Sequence, residues 1–503
     1  MADRRDGPLA IKGGRVIDPS QGIDRVADVF LRDGKVERIV ERTGREGTAN
    51  AAGLGPMGRD PGTDGYRVVD ARGKVVAPGF VDLHTHLREP GLEYKETIAT
   101  GTAAAARGGY TTVCAMPNTD PALDTASVVE HVVRRARETG VVRVLPIGAV
   151  TVGRQGKQLS EMADLAAAGA IGFSDDGDPV ADANLMRQAL AYSSTLGLPI
   201  IDHCQDRSLT AGAQIHEGLV SARLGLAGWP SQAEATMVAR DIALCELTGG
   251  RLHIAHVSTR AAVELVRSAK ERGLNVTAEA TPHHLTLTDE WVYGMKGSAP
   301  DGGALPVAAY DTNTKVNPPL RSRVDVEAVV DGLRTGAVDF VATDHAPHAE
   351  TEKVCTYAEA ANGISNIETA FASVMSLVHA GRLTLSQLVE RMSTQPARFL
   401  SGSVNGRPAR KLDHVRANPG MLPSSVSTSP ASQGLLPATL GTLKVGAPAD
   451  VVIFDPDAPW TVDPARFASK GRNTPLAGVT LKGRVTATIY GGAVVWELAG
   501  GDV

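Results

Sequence analysis

The sequence of 503 residues predicts an α/β protein, a (β/α)8 TIM barrel with a small β domain formed from both ends of the chain. Eight apolar runs in the middle of the chain alternate with Ala-rich helical stretches, and Gly-punctuated β-type runs occur at both ends. Polar side chains gather where the middle runs finish. In a barrel these ends meet at one rim, which is where such folds carry their reactive groups.

The composition is that of a folded protein that acts on a small molecule. With 43% hydrophobic and 21% charged residues, the chain can bury a large core and forms more than one compact unit. A formal net charge of -5 gives no broad basic field, so we expect neither nucleic acid nor a membrane as a main partner. A small solute is the favoured partner.

The cysteines and the N-terminus favour a cytoplasmic protein. Cys114, Cys204, Cys245 and Cys355 lie far apart without a C-x-x-C pair, which argues against a zinc-thiolate site and against a disulfide framework. The first residues contain no apolar signal segment, and no stretch reaches the roughly 20 apolar residues of a membrane span. We therefore expect a soluble cytosolic protein.

Short β-type runs open and close the chain, each broken by Gly-Gly or Asp-Gly turn signals. They predict a small antiparallel unit, in which residues 1–77 and 440–503 form one discontinuous β domain. The runs are LAIKGGRVID, DVFLRDGKVERIV and RVVDARGKVVAP at the start, and GTLKVGAPADVVIFD, VTLKGRVTATIY and GGAVVWELAG at the end.

Residues 78–400 contain the eight candidate barrel strands. Most run ends are 26 to 32 residues apart, near the roughly 30 residues of one βα unit, and two longer steps of 54 and 63 imply insertions. The runs are FVDLHTH (80–86), TTVCAMPN (111–118), VRVLPIGAV (142–150), AIGFSDD (170–176), LPIIDHC (198–204), RLHIAHVS (251–258), NVTAEATPHH (275–284) and VDFVATDHAP (338–347).

Three segments rich in Gly, Pro, Ser and Ala lack periodicity, and we expect them to be mobile loops. They are residues 42–65, 293–311 and the insert 401–439. No chemistry is assigned to them.

A metal site is indicated by histidines and carboxylates at the ends of the runs. His84 and His86 are separated by one residue, so both side chains point to the same face of a strand. Asp176, His203, His256 and Asp344 follow at other strand ends. Four imidazoles and two carboxylates suffice for two divalent ions. Taken singly, these residues could instead be satisfied core histidines, a helix N-cap or a turn residue.

Further polar residues on the same rim suggest a substrate with a carboxylate. Arg88 follows the histidine pair in HLREPG, and its guanidinium offers a fork of donors suited to a carboxylate. Asn118, Asn317 and His348 could complete a pocket for polar ring atoms and an anion. The alternative is a surface salt bridge for the arginine and turn roles for the asparagines.

Seven strings together resemble the class I dihydroorotases of the amidohydrolase superfamily. The resemblance runs from about residue 78 to 370, and the β-type ends also match. The strings are VDLHTHLREPG, ETIATGTAAAARGGYTTVCAMPNT, GFSDDG, HVST, TAEATPHHLTLT, KVNPPLRS and TDHAPH.

The resemblance implies a barrel with a small β-sandwich domain, a divalent metal site usually filled by zinc, and the reversible conversion of L-dihydroorotate to N-carbamoyl-L-aspartate in pyrimidine synthesis. It further implies a role for each site residue. His84 and His86 would bind the more buried ion, Asp176 would bridge, His203 and His256 would bind the second ion, and Asp344 would be ligand and proton carrier. Arg88, Asn118 and His348 would hold the substrate carboxylate, and Asn317 would touch the ring.

The expected chemistry is attack on the ring carbonyl by metal-activated hydroxide, with Asp344 accepting a proton and passing it to the leaving nitrogen. We expect one or two ions per chain, a homo-oligomer, and a possible association with aspartate transcarbamoylase.

Two alternatives stay open at this point. Hydantoinases and allantoinases generally carry a carboxylated lysine where this chain has Asp176. A silent dihydroorotase-like subunit of a transcarbamoylase assembly would be expected to have lost metal ligands, and none is missing. Two departures from the family concern the stretch 360–371 and Gln205, where an acidic residue is common.

Overall fold

The computed structural model describes residues 7–42, 63–294, 308–404, 407–408, 436–437 and 439–499. Most of the three expected loops falls outside these ranges, so their mobility stays a prediction. Within the described residues, no helix is long and apolar enough to cross a bilayer.

The strands, in chain order, are β1 (Leu9–Asp18), β2 (Ile23–Arg32), β3 (Lys35–Glu41), β4 (Arg67–Asp70), β5 (Val75–Pro78), β6 (Phe80–Thr85), β7 (Tyr110–Ala115), β8 (Arg143–Pro146), β9 (Ile200–Asp202), β10 (Ile215–His216), β11 (Gly228–Trp229), β12 (Leu252–Ile254), β13 (Val276–Ala280), β14 (Phe340–Val341), β15 (Ser403–Val404), β16 (Arg407–Pro408), β17 (Val451–Thr461), β18 (Thr480–Tyr490) and β19 (Ala493–Glu497).

The helices are α1 (Ile98–Arg107), α2 (Ala126–Thr139), α3 (Met162–Ala168), α4 (Ala183–Leu196), α5 (Leu219–Leu224), α6 (Gln232–Thr248), α7 (Arg260–Glu271), α8 (Pro282–Thr286), α9 (Arg323–Thr335), α10 (Ala370–His379), α11 (Leu385–Val389) and α12 (Gln395–Leu400).

The two ends of the chain share one sheet, in the order β19-β18-β17-β5-β1-β2-β3, with β4 also paired to β1. The antiparallel pair β17·β5 joins the C-terminal strands to the N-terminal ones. The expectation of an antiparallel unit was wrong in one respect, because β4 and β5 both run parallel to β1. The Gly73 turn between them (φ 74°) lets both strands run alongside β1 in the same direction.

The middle of the chain forms two parallel sheets, β6-β7-β8 and β9-β12-β13-β14. Single parallel bridges connect them: Phe173 pairs with Gly148 on one side and with Ile200 on the other, and Thr85 pairs with His345. The fourth predicted run is therefore represented by the bridging residue Phe173 rather than by a full strand. Each of the eight segments is followed by a helix, namely α1, α2, α3, α4, α6, α7, α9 and α10.

The predicted runs are longer than the strands that form, and the run 275–284 shows one reason. Strand β13 ends at Ala280, and the side chain of Thr281 then caps α8 by accepting a hydrogen bond from the His284 amide. Pro282 occupies the first turn of this helix, where its missing N–H costs nothing. His283 and His284 consequently belong to a helix and not to the strand.

Two apolar layers support the middle segments. The larger layer lies between the strands and their helices and includes Val113, Val144, Ile254 and Val329. The smaller one collects residues from alternate strand positions and from α12: Leu83, Cys114, Leu145, Ile171, Ile201, Ala255, Phe340 and Phe399. Because alternate residues of a strand face opposite sides, these packed layers fix the direction of the polar residues that follow.

Candidate metal and substrate site

Six predicted metal ligands come together where the parallel segments end. His84 lies near the end of β6 and His86 just after it, while His203 directly follows β9. All six side chains are buried; Asp344, with an exposure of 8%, is the most accessible. Asp176, His256 and Asp344 follow the Phe173 bridge, β12 and β14.

Asp176 lies at the centre of the cluster. Its Oδ1 is 3.3 Å from His84 Nε2 and 3.4 Å from His256 Nε2. The same oxygen is 3.6 Å from His203 Nδ1, and Oδ2 is 3.5 Å from His86 Nε2. One carboxylate thus faces four imidazoles.

Asp344 approaches the cluster from the last strand. Its Oδ1 lies 3.0 Å from His86 Nε2 and 3.6 Å from His84 Nε2. On the opposite side, His203 Nδ1 lies 2.8 Å from His256 Nε2. The donors therefore divide into one group around His84 and His86 and another around His203 and His256, with Asp176 between them.

The residues fit a divalent metal. Within the described residues, donor atoms close enough to share an ion occur in the group His84, Asp176 and His256 and in the group His84, His86 and Asp344. His84 Nε2 belongs to both groups, and it is buried without a hydrogen-bond partner. A buried imidazole nitrogen with no partner is costly unless it binds something, and imidazole with carboxylate is a donor set suited to zinc.

The charges of the cluster also favour cations. Burial alone would raise the pKa of Asp176, but the His84 imidazolium holds it well below its usual range. For His84, burial opposes charging, and the Asp176 and Asp344 carboxylates outweigh it and raise the pKa well above the ordinary value. The pKa of Asp344 is lowered in the same way, against burial, mainly by His84. Both carboxylates are ionised at neutral pH.

The adjacent aspartate has a different role. Asp175 accepts hydrogen bonds from the amides of Val150 and Thr151, at 2.9 and 3.0 Å, and also from the Thr151 hydroxyl. It holds the segment after β8 in place while Asp176 faces the histidines.

Sequence reasoning missed the residues that orient the candidate ligands. Glu279 on β13 is fully buried and accepts a hydrogen bond from His84 Nδ1 at 2.8 Å, which directs Nε2 of that ring toward the cluster. Arg154 donates to the backbone oxygen of Asp176 at 2.7 Å. A carboxylate in the middle of an apolar strand was the available signal for Glu279; no comparable signal marked Arg154.

Arg88 is buried without an ion-pair partner among the described residues. Its exposure is 7%, its Nε donates to the Pro347 oxygen at 3.3 Å, and its Nη2 lies 3.5 Å from His348 Nε2. Burial lowers the pKa of Arg88 to about 10, so the group stays charged at neutral pH. A buried cation of this kind favours an anionic ligand.

The remaining substrate candidates lie on the same rim. His348 Nε2 donates to the Asn362 carbonyl at 2.8 Å, and Asn118 Oδ1 accepts from His86 Nδ1 at 2.8 Å. Asn317 Nδ2 donates to Gln205 Oε1 at 3.0 Å, whereas its buried Oδ1 has no partner in the described part of the chain. Asn118 is thus engaged with a candidate metal ligand, and Asn317 keeps an acceptor free.

Backbone strain is concentrated at this rim. Among the described residues, six non-glycine residues have positive φ, and four of them belong to the site: Arg88 (62°), Arg154 (56°), His256 (33°) and Asp344 (48°). Such conformations cost about 1–3 kcal/mol each and cluster at functional sites.

The chain is similar in sequence to known dihydroorotases. A family model described as dihydro-orotase-like matches residues 73–262. A dihydroorotase of Anaeromyxobacter sp. (strain K) is 49% identical over 489 residues, covering 97% of this chain and 98% of the relative. A dihydroorotase of Pelotomaculum thermopropionicum is 48% identical over 490 residues, with the same coverage.

Solved structures resemble the chain in fold. The L-hydantoinase (dihydropyrimidinase) from Arthrobacter aurescens superposes with a TM-score of 0.75 at 24% identity, covering 97% of this chain and 96% of that one. The dihydropyrimidinase from Brevibacillus agri gives a TM-score of 0.73 at 22% identity. At this level of identity the likeness concerns the fold alone.

An α/β fold with histidines and carboxylates gathered at the ends of its parallel strands, together with the dihydro-orotase-like family match, defines an enzyme of the amidohydrolase type. The 49% identity to a dihydroorotase over 97% of the chain identifies the family within this class. The chain belongs to the dihydroorotase family, whose members are metal-dependent hydrolases of cyclic amides.

Proposed function

We propose that this enzyme converts L-dihydroorotate and water reversibly to N-carbamoyl-L-aspartate in pyrimidine biosynthesis. The observation that carries the proposal is that the buried Arg88, which has no ion-pair partner among the described residues, lies on the same rim as six candidate metal ligands with Asp176 at their centre. A substrate that contains a ring amide and a carboxylate would use the metal site for the amide and Arg88 for the carboxylate. Relatives named dihydroorotase over nearly the full chain support this substrate.

Zinc, as one or two ions per chain, is the proposed metal. His84 and His86 would hold one ion, His203 and His256 the other, and Asp176 would bridge them. Asp344 would be a further ligand. Within the described residues, His84 Nε2 has no hydrogen-bond partner and belongs to two overlapping donor groups, which supports a metal at this position. The distance of 3.6 Å between His203 Nδ1 and Asp176 Oδ1 supports His203 as a further ligand. A bound divalent ion supplies Lewis acidity, which activates water and polarises the ring carbonyl.

The substrate side would fix the approach of the ring. Arg88 would bind the carboxylate through two parallel hydrogen bonds, with His348 and Asn118 beside it. Asn317 would accept a hydrogen bond from a ring N–H with its free Oδ1. Holding both ends of a small ring lowers the entropic part of the barrier, because the carbonyl carbon stays in position for attack.

Asp344 would carry the proton. The pKa of Asp344 lies below its ordinary value, so its carboxylate is ionised at neutral pH and can accept a proton from the attacking water. The same carboxylic acid would then protonate the ring nitrogen as the C–N bond breaks, and the reverse reaction would use these steps in the opposite order.

The architecture proposed for the enzyme is a (β/α)8 barrel of residues 78–400 and a β-sandwich domain of residues 1–77 and 440–503, with the insert 401–439 between them. The ring of parallel pairings through Phe173 and through Thr85 with His345 supports the barrel. The pairing of β17 with β5 supports a β domain built from both ends. A two-layer sandwich is proposed from the family resemblance, since the described strands pair as one sheet.

The setting of the enzyme is proposed from its cysteines and from the family resemblance. All four cysteines are free, which supports a reducing cytoplasm. A homo-oligomer and an association with aspartate transcarbamoylase are proposed from the resemblance. Sedimentation of the purified chain with and without that enzyme tests both associations.

A direct assay tests the function. Purified protein is incubated separately with L-dihydroorotate, hydantoin and allantoin, before and after chelation, and ring opening is measured. We expect turnover of L-dihydroorotate that chelation abolishes and zinc restores. Activity on hydantoin or allantoin alone would contradict the proposal.

A further inference from the structure

Gln205 links the two sides of the site. It lies two residues after His203, and its Oε1 is 3.0 Å from His203 Nε2 and 3.0 Å from Asn317 Nδ2. Its Nε2 donates to the Thr210 hydroxyl at 2.7 Å. One amide oxygen therefore contacts both a proposed metal ligand and the proposed ring contact.

These contacts determine which nitrogen of His203 is available to bind a metal ion. The Gln205 oxygen can only accept, so the His203 ring carries its proton on Nε2 and donates it to this oxygen. The lone pair then lies on Nδ1, the atom that faces His256 and Asp176 at 2.8 and 3.6 Å. Gln205 thus directs the ligand atom into the cluster.

The candidate metal-binding histidines donate hydrogen bonds to partners that differ in charge. His84 donates to the carboxylate of Glu279 and His86 to the amide oxygen of Asn118, whereas His203 donates to the amide oxygen of Gln205. A carboxylate behind a ligating histidine makes the imidazole a stronger ligand than an amide does, because the negative charge pushes electron density toward the metal-binding nitrogen. The two ion positions therefore receive unequal support.

We propose that Gln205 is a positioning residue with two effects, an inference that rests on the proposed function. It makes the His203–His256 position the more weakly held of the two ion positions. It also couples this position to substrate binding, because the same oxygen accepts a hydrogen bond from Asn317, the proposed ring contact.

The test compares four full-length proteins: wild type, Gln205→Glu, Gln205→Leu and the control Gln188→Glu. Gln188 is exposed on α4, so its variant adds the same charge away from the site. Metal-free protein is titrated with Zn²⁺ against a chromophoric chelator, which reports each binding step without any assay of activity. KM and kcat for L-dihydroorotate are then measured on zinc-loaded protein.

We expect two binding steps in the wild type, the second weaker. Gln205→Glu tightens the second step by about tenfold and Gln205→Leu weakens it by about tenfold, with the first step unchanged. KM rises more in Gln205→Leu than in Gln205→Glu, because only the glutamate still offers Asn317 an acceptor. The control behaves as the wild type.

The outcomes separate this inference from the function on which it rests. Two steps that are identical in all four proteins would overturn the role of Gln205 and leave the two-ion site standing. A single step in every protein would overturn the role of Gln205 and the two-ion site, while turnover of L-dihydroorotate by the same samples would leave the proposed function standing with one ion. A Gln205→Leu variant with a weakened second step but unchanged KM would remove the coupling to Asn317 and contradict the proposal as stated.

Discussion

The guanidinium of Arg88 is held in the protein interior without a compensating carboxylate among the described residues, an arrangement that destabilises a folded protein. Its positive φ of 62° adds backbone strain. The buried charge and the backbone strain are both expected if Arg88 binds a ligand and does not stabilise the fold. The substrate carboxylate is then the missing partner.

We predict that Arg88→Met raises KM for L-dihydroorotate by about tenfold to a hundredfold, the range expected for losing a charge-assisted hydrogen bond. The melting temperature should not fall, because the variant removes an uncompensated buried charge. Steady-state kinetics and thermal unfolding of the two proteins check this.

The matched control is Arg143→Met, at an arginine paired with Asp450 at 2.8 Å. Breaking this largely buried pair should cost about 3 kcal/mol and lower the melting temperature, with KM unchanged. An Arg88 variant that loses stability but keeps its KM would contradict the substrate role.

Asp344 offers a second prediction at this scale. Asp344→Asn keeps an oxygen that can ligate but removes the proton acceptor, so kcat should fall by about 10²- to 10⁴-fold. The measurement is kcat on zinc-reconstituted protein, with zinc content determined in the same samples.

Zinc content distinguishes the two roles of this carboxylate. A low kcat with full zinc content indicates loss of proton transfer, whereas zinc loss indicates a ligand role alone. Substantial turnover by fully loaded Asp344→Asn would show that another group carries the proton.

At the scale of elements, the sequence predicted where the site residues meet. His84, Asp176, His203 and Asp344 each follow an apolar run, and parallel strands bring such ends together whatever lies between them. The hydrogen-bond partners of these residues on other strands could not be predicted. His84 can donate its hydrogen bond to Glu279 only because β6 and β13 face the same interior. The two residues are 195 positions apart in the sequence, and no local pattern encodes their contact.

Cap and turn residues that end strands early explain the other differences between the predicted and the observed elements. The run 275–284 continues as apolar and β-branched past Ala280, but Thr281 and Pro282 begin a helix there. The run around Phe173 makes backbone hydrogen bonds to both neighbouring segments between Ile171 and Ser174, but only Phe173 forms bridges, and the turn after Asp175 ends the run. Periodicity predicts that an element exists better than it predicts where the element ends.

The buried His216 in β10 contacts Arg321, which precedes α9, and this contact provides a prediction about pH. His216 in β10 has an exposure of 9% and accepts from Arg321 Nη1 at 3.4 Å. Burial, together with the positive Arg321, lowers the pKa of His216 to about 4. The unfolded chain binds this proton from about pH 6.5 downward, whereas the folded chain does not until about pH 4. Stability is therefore lost as the pH falls between these values.

We predict that His216→Gln, which keeps an acceptor for Arg321 but cannot titrate, loses about 2 kcal/mol less stability than the wild type between pH 7.5 and pH 5.0. Denaturant unfolding at both pH values measures the difference. Equal losses in the two proteins would show that the His216 pKa is not lowered in the folded state.

At the scale of the whole molecule, the two ends of the chain meet in one sheet, as the Gly-punctuated runs predicted. Leu9, Val29, Val451 and Ile489 pack in a single cluster, so neither end buries its apolar face alone. The parallel pairing of β4 and β5 with β1 was not predictable, because turn signals indicate that a chain reverses but not which strand it then joins.

The site couples to the stability of the whole molecule. Without an ion, the cluster keeps two ionised carboxylates and four imidazoles in a buried volume, and His84 Nε2 makes no hydrogen bond within the described part of the chain. An ion that binds only the folded state stabilises it, by about 4 kcal/mol at a free concentration a thousandfold above Kd. We predict that chelation lowers the melting temperature by several degrees and that Zn²⁺ restores it. In the matched control Asp176→Ala, which lacks the proposed bridge, chelation and zinc should shift the melting temperature much less. Equal shifts in the variant and the wild type would place the stabilising ion elsewhere in the molecule.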